Sequence, residues 1–121
     1  MKYSDRLRKN RDFQSVYKGG TSKANKYLVM YVKENNTDEN RIGVSVSKKV
    51  GNSVVRHHLA RLIREGYRLQ EELFRRGLDV VVIARVNAKD CTYHEIERAI
   101  YHLGSLHQII REKENDEEVI N

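Results

Sequence analysis

The segment Lys48–Arg68, KKVGNSVVRHHLARLIREGYR, decides how this chain is read. Two lysines precede a Gly51-Asn52 turn, and from about Ser53 the residues repeat with helical spacing. Val55, Leu59, Leu62, Ile63 and Leu69 recur on one side, which predicts a core-facing stripe. His57, Arg61, Arg64 and Arg68 stand at i, i+4, i+7 and i+11, an arc of about 60° on the other side. Arg56 flanks that arc across the gap left by the small Ala60. Like charges one turn apart repel by roughly a few tenths of a kcal/mol per pair. The nearby acids, Glu65 and Glu72, are expected to point to the side of the stripe. Such a face is either ordinary solvated surface or a rail for nucleic-acid phosphates.

Working outward, the helical segment is expected to start at an Asn52 or Ser53 cap and to run to Arg76, with Gly77 ending it. The run before it, Arg41–Ser47 (RIGVSVS), alternates as a strand. Ile42, Val44 and Val46 point one way; Gly43, Ser45 and Ser47 point the other and leave a face almost without side-chain bulk. That bare face reads equally as a solvated side or as a floor that lets a large ligand come close. The run after the helix, Leu78–Arg85 (LDVVVIAR), is nearly continuous in branched apolar residues, as suits a strand buried on both faces. Strand, helix and strand in this order predict a βαβ crossover with parallel outer strands.

The remaining elements follow the same logic. Asp5–Lys18 reads as a first helix with Leu7, Phe13, Val16 and Tyr17 as its apolar set, stopped by Gly19-Gly20. Lys26–Lys33 alternates, with Leu28, Met30 and Val32 on one face and Tyr27, Val29 and Tyr31 on the other. Thr92-Tyr93-His94-Glu95 is a capping box that opens a last helix with Ile96, Ala99, Ile100, Leu103 and Leu106 in helical period. The order α-β-β-α-β-α predicts an α+β fold, a two-layer α/β sandwich.

The 121 residues predict one domain, residues 1–111, able to bury a core without staples. Residues 112–121 hold five acids and one lysine, a net of −4, and are expected to form a disordered tail. Residues 1–111 therefore carry +10 against +6 for the whole chain, a balance that favours a polyanionic partner. Cys91 is the only cysteine, which excludes an internal disulfide and a zinc knuckle. With no signal-like or membrane-length apolar run, the expected setting is the cytoplasm, without a membrane partner.

Three groups of residues are candidates for chemistry. Phe13 and Tyr17 are one turn apart, and Tyr31 lies on the non-core face of its strand; flat rings lining a groove stack unpaired bases, while the plainer reading is core or surface aromatics. Lys48 and Lys49 leave the bare strand just before the helix of Arg56, His57, Arg61, Arg64 and Arg68, whose guanidinium forks suit phosphate. A protein-based active site finds no support. His57-His58 project about 100° apart on a helix, Asp79 and Asp90 lack a paired carboxylate for a two-metal site, and KKVGNS matches only the tail of a phosphate-cradling loop. No catalytic residue and no protein metal site is assigned.

The residues resemble those of the bacterial ribonuclease P protein family. SVSKKVGNSVVRHHLARLIRE, Ser45–Glu65, is similar to the family's arginine-rich helix and the strand that approaches it. LRKNRDFQSVYKGGTS, YLVMYV, LDVVVIAR and the late HLGSL extend the likeness to everything but the tail. His57 stands where the family usually has asparagine, Ala60 where it has lysine, and His58 replaces a frequent arginine, so the rail here is thinner. The resemblance implies a ribonucleoprotein whose RNA subunit removes the 5′ leader of precursor tRNA with Mg2+ bound mainly by RNA and substrate. It implies a left-handed βαβ crossover, against the general rule. It places the single-stranded leader in a cleft of Phe13, Tyr17, Tyr31, Gly43, Ser45 and Ser47. It turns Lys48, Lys49, Arg56, His57, Arg61, Arg64 and Arg68 toward the catalytic RNA, with no obligate protein partner. The rivals are a ribosomal or RNA-chaperone-like module and a stand-alone metallonuclease.

Overall fold

The alternating apolar runs meet in the middle of one mixed sheet. The computed structural model describes residues 1–111; the expected acidic tail, 112–121, lies outside the described residues. The strands are β1 (Ser4–Arg6), β2 (Thr21–Ala24), β3 (Leu28–Glu34), β4 (Asn40–Ser45) and β5 (Leu78–Ala84). The helices are α1 (Asn10–Gly19), α2 (Ser53–Arg68) and α3 (Tyr93–Leu106), with short 3-10 turns at Glu71–Leu73 and Val86–Ala88. The sheet order is β1-β4-β5-β3-β2. β4 and β5 run parallel across the α2 crossover, as expected, and β3 joins β5 antiparallel.

The strand registers line side chains up in rows. Met30 stands beside Val82, and Val82 beside Val44; Val32 stands beside Val80, and Val80 beside Ile42. These rows face Leu59 and Ile63 of α2 and Ile96, Ile100 and Leu103 of α3, forming the main core. Each fully buried aliphatic side chain there contributes about 1.5–3 kcal/mol. The two-layer arrangement expected from the sequence describes this half. α1 adds a partial third layer on the opposite face, where its Val16 and the Val81 beneath it are both fully buried.

Several elements differ from the sequence reading. The first helix begins at Asn10 rather than Asp5, because Ser4–Arg6 pairs with β4 as a parallel edge strand. β2 has no counterpart in the sequence pattern; its four residues are all exposed, so no apolar alternation marks it. It forms a hairpin with β3 through Asn25, whose Oδ1 accepts the N–H groups of Tyr27 and Leu28. β4 ends at Ser45, so Ser47 leaves the strand and its Oγ accepts the Lys49 N–H in the turn to α2. α2 stops at Arg68 instead of Arg76. There Gln70 folds its amide back to the Gly66 and Glu97 carbonyls, and Glu71 commits its carboxylate to the N-terminal strand. Both ends set by side-chain caps are legible in the sequence: Asn52 accepts the Val55 N–H, and the Thr92–Glu95 capping box is fully formed.

α2 is also rotated relative to the expected stripe. Leu59, Ala60, Ile63, Gly66 and Tyr67 are its buried residues, a sector turned by about 70° from the expected one. Leu69, assigned to the core stripe, is 55% exposed, and Val55 and Leu62 are only half-buried. The cause is tertiary. The Tyr67 ring stacks edge-on against Phe74 at 5.3 Å, and its hydroxyl meets Ser4 Oγ and Asn40 Nδ2, drawing that flank inward.

Candidate nucleic-acid interface

The sheet face away from α2 and α3 carries three rows of unlike character. The first is charged: Arg41 beside Asp79, and Asp79 beside Lys33. The second is Gly43, Val81 and Tyr31, and the third is Ser45, Ile83 and Val29. At the charged row, Arg41 grips the buried Asp79 through two hydrogen bonds of 2.9 and 2.6 Å, and Asn35 Nδ2 donates a third at 2.9 Å. Burial alone would push the Asp79 carboxyl up; the Arg41 guanidinium and the Asn35 amide overcome it and hold the carboxyl below its ordinary value. Arg41 also reaches Asp12 of α1 at 3.6 Å, tying the helix to the sheet.

α1 covers the second row. The Phe13 ring lies on Gly43, where any Cβ would sit 2.7 Å from two ring carbons and 3.1 Å from Leu7. Gly43 is therefore the seat of the ring rather than open floor, and it is buried. Phe13 and Tyr17 have ring centroids 6.4 Å apart, and Tyr17 meets Tyr31 edge-on at 5.0 Å. The three expected aromatics thus form one continuous half-buried wall. Burial pushes the Tyr17 phenol up, and the neighbouring Ser45 hydroxyl works against it.

The third row is where cover ends. Ser45, Ile83 and Val29 are all half-buried, and among the described residues no helix covers them as α1 covers Val81. A depression of about 410 Å³ opens beside the wall, lined by Phe13, Tyr17, Val44 and Ser45 together with Arg8, Asn10 and Gln14. Of the residues expected in the cleft, Phe13, Tyr17, Tyr31 and Ser45 come together at this wall; Gly43 lies beneath it, and Ser47 has moved into the turn. Outside the sequence reading of the cleft lie the polar lip of Arg8, Asn10 and Gln14, and the half-buried Ile83 and Val29 of the adjoining row. Strand alternation marks Val29 and Ile83 as facing the same side as Tyr31, but only the register shows them to be neighbours.

α2 leaves the sheet at the Ser45 end of β4. Lys48 and Lys49 are exposed in the connecting turn, and the first turn of α2 contains no acid. His57 and Arg61 are exposed. Arg64 is half-buried, and burial followed by the nearby charge of Arg6 lowers the pKa of its guanidinium. Arg56 lies on the flank that rotated inward, and its Nε is buried without a hydrogen-bond partner among the described residues. Arg68 differs from the others: its guanidinium is clasped by Glu65 through bonds of 3.1 and 2.5 Å. Among the described residues, Arg56, Arg61 and Arg64 make no ion pair, whereas Arg68 does.

Among the described residues, no group of three or more His, Cys, Asp or Glu side chains comes together in a way that could hold a metal ion. No helix among them is long and apolar enough to cross a membrane.

Residues 1–107 match the family model described as Ribonuclease P. The chain is 54% identical over 113 residues to the ribonuclease P protein component of Lachnoclostridium phytofermentans, spanning 93% of this chain and 97% of that one. It is 52% identical over 103 residues to that of Alkaliphilus metalliredigens, spanning 85% and 93%. A 2.0 Å structure of the Staphylococcus aureus RNase P protein superposes with a TM-score of 0.81 at 38% identity, covering 89% of this chain and 99% of that one. The RNase P protein of Thermotoga maritima superposes with a TM-score of 0.77 at 30% identity, covering 84% and 96%.

Proposed function

The chain belongs to the ribonuclease P protein family, and we propose that it binds the catalytic RNA of that enzyme through α2 and holds the 5′ leader of precursor tRNA in the aromatic cleft. The observation that carries this reading is the adjacency of two surfaces. An uncovered sheet row bounded by the Phe13–Tyr17–Tyr31 wall opens next to a helix whose Arg56, Arg61 and Arg64 lack acidic partners among the described residues. Rings stack on bases of any sequence, at roughly 1–3 kcal/mol per base, so the cleft suits a leader that differs from one tRNA to the next. Lys48, Lys49, Arg56, His57, Arg61 and Arg64 supply charge to phosphates, and Arg68 contributes less because Glu65 already holds it.

In this reading the protein contributes binding and charge neutralisation. The magnesium ion, in the same reading, is held mainly by the RNA and the substrate. Neutralised phosphates approach one another at lower cost, so the protein should reduce the magnesium that the catalytic RNA requires.

Reconstitution tests the whole reading. Protein with the catalytic RNA should cleave precursor tRNA at magnesium concentrations where the RNA alone is slow, and protein alone should not cleave. Magnesium-dependent cleavage by protein free of RNA would sink it. Tyr31→Ala tests the cleft: binding of leader-bearing precursor should weaken by about 1 kcal/mol or more. Binding of mature tRNA should hold. Equal loss for both RNAs would assign the ring to the fold or to the catalytic RNA.

A further inference from the structure

The arginine stripe of α2 does not end where the helix does. Its last expected member, Arg68, is neutralised by Glu65. One turn earlier, Arg64 faces a charge that comes from elsewhere in the chain, Arg6 of β1. The strand places it there. Ser4 and Arg6 are two residues apart and so share a face. Ser4 Oγ lies 2.8 Å from Tyr67 Oη, which fixes that face against α2. Arg64 is one turn back from Tyr67 on the same flank of the helix.

β1 is three residues long and parallel to β4, and one side chain holds its start. The Glu71 carboxylate, itself 6% exposed, accepts the N–H of Lys2 at 2.8 Å, the N–H of Tyr3 at 3.1 Å and the Ser4 hydroxyl at 2.8 Å. At the far end, the Leu7 N–H donates to the Ile42 carbonyl at 2.9 Å. Between these two anchors Arg6 is exposed, and its side chain makes no ion pair or hydrogen bond among the described residues. The nearby Asp5 faces the other side of the sheet, 3.9 Å from Arg8. Two arginines on this shared flank, with no acid paired to either among the described residues, repel, and an anion between them relieves the repulsion.

We propose that Arg6, held beside Arg64 by the Glu71 clamp on β1, binds a phosphodiester of the catalytic RNA, so that the basic rail leaves α2 at Arg64 and continues along the edge strand. The inference rests on the reading of α2 as the RNA-facing helix. Arg6 is a binding residue, and Glu71 is a positioning residue that acts through it.

The test is the salt dependence of binding between the full chain and the catalytic RNA. Removing the partner of one phosphate should lower the logarithmic slope by about 0.7–0.9. Arg6→Ala should show one such step, as Arg64→Ala does, and Arg6→Lys should keep the slope by keeping the charge. Glu71→Ala, checked for folding by circular dichroism, should show the same step as Arg6→Ala, and combining the two should add nothing. A normal slope in Arg6→Ala with a reduced slope in Arg64→Ala would overturn the edge-strand role while leaving the helix reading intact. Normal slopes in both would overturn the helix reading itself, and this inference with it. If Glu71→Ala does not fold, the Arg6 variants decide the question alone.

Discussion

The two faces of the sheet are made from the same strands, yet one is finished and the other is not. On the face toward α2 and α3, the inward residues of β3 and β5 are buried, from Leu28, Met30 and Val32 to Leu78, Val80, Val82 and Ala84, with Glu34 at the end of β3 the one exposed. On the opposite face, Val81 is sealed by α1 while its neighbours Val29 and Ile83 stay half-open. Alternation separates the two faces but does not tell how far each is covered. The difference is that, among the described residues, two helices span one face and a single ten-residue helix spans part of the other. The depression beside the aromatic wall reaches the unfinished row at Ser45.

That contrast can be broken by paired truncations. Met30→Ala, on the closed face, should cost about 3 kcal/mol of stability, measured by denaturant unfolding. Val29→Ala, one residue away on the open face, should cost less than about 1 kcal/mol. Similar losses at both positions would mean that the second face is as tightly packed as the first.

A charged clamp closes the far end of the open face. Asp79→Asn should cost about 2 kcal/mol near neutral pH, because it weakens charge-assisted bonds at a buried site. The sign of the pH dependence follows from a carboxyl held below its ordinary value of 3.8. The stabilisation is complete above that value and is lost as pH falls through the lower folded value. The stability gap between wild type and Asp79→Asn should therefore stay constant from about pH 7 to 5 and shrink below about pH 4. A gap that widened in acid would contradict the assignment.

Gly43→Ala sharpens the border between covered and open rows. The added methyl meets the Phe13 ring at 2.7 Å, so either the ring or α1 must shift. The expected cost is about 1–2 kcal/mol of stability together with weaker binding of leader-bearing precursor. The smallest expected effect is at the floor itself. Ile83→Ala should change stability by less than about 1 kcal/mol and weaken leader binding by a few fold. Unchanged leader binding would move the leader off the third row.

Much of this is legible in the residues, and the misses share a cause. Capping side chains act locally, so the starts of α2 and α3 can be read from Asn52 and from Thr92 with Glu95. Apolar patterning is also local: alternation identifies β3 and β4, and the continuous branched apolar run identifies β5. β1 and β2 have no such pattern, because edge strands are held by backbone pairing to a neighbour that the local sequence does not specify. The early end of α2 depends on Gln70 reaching Glu97 and on Glu71 reaching Lys2 and Tyr3, bonds spanning 27 to 69 residues of chain. The inward turn of its Arg56–Tyr67 flank has the same long-range origin.

The candidate site divides along the same line. By itself the sequence determined the residue types: three aromatics, a bulk-free strand and a basic helix. Charge and ring chemistry belong to side chains wherever they lie, so that part carries over directly. Only the tertiary structure decided which of them meet. Register put Ile83 and Val29 beside Ser45, close approach placed Phe13 on Gly43, the end of β4 sent Ser47 into a turn, and β1 brought Arg6 to Arg64. Pairing register and helix rotation are set by interactions between segments far apart in the chain, and no local pattern encodes them.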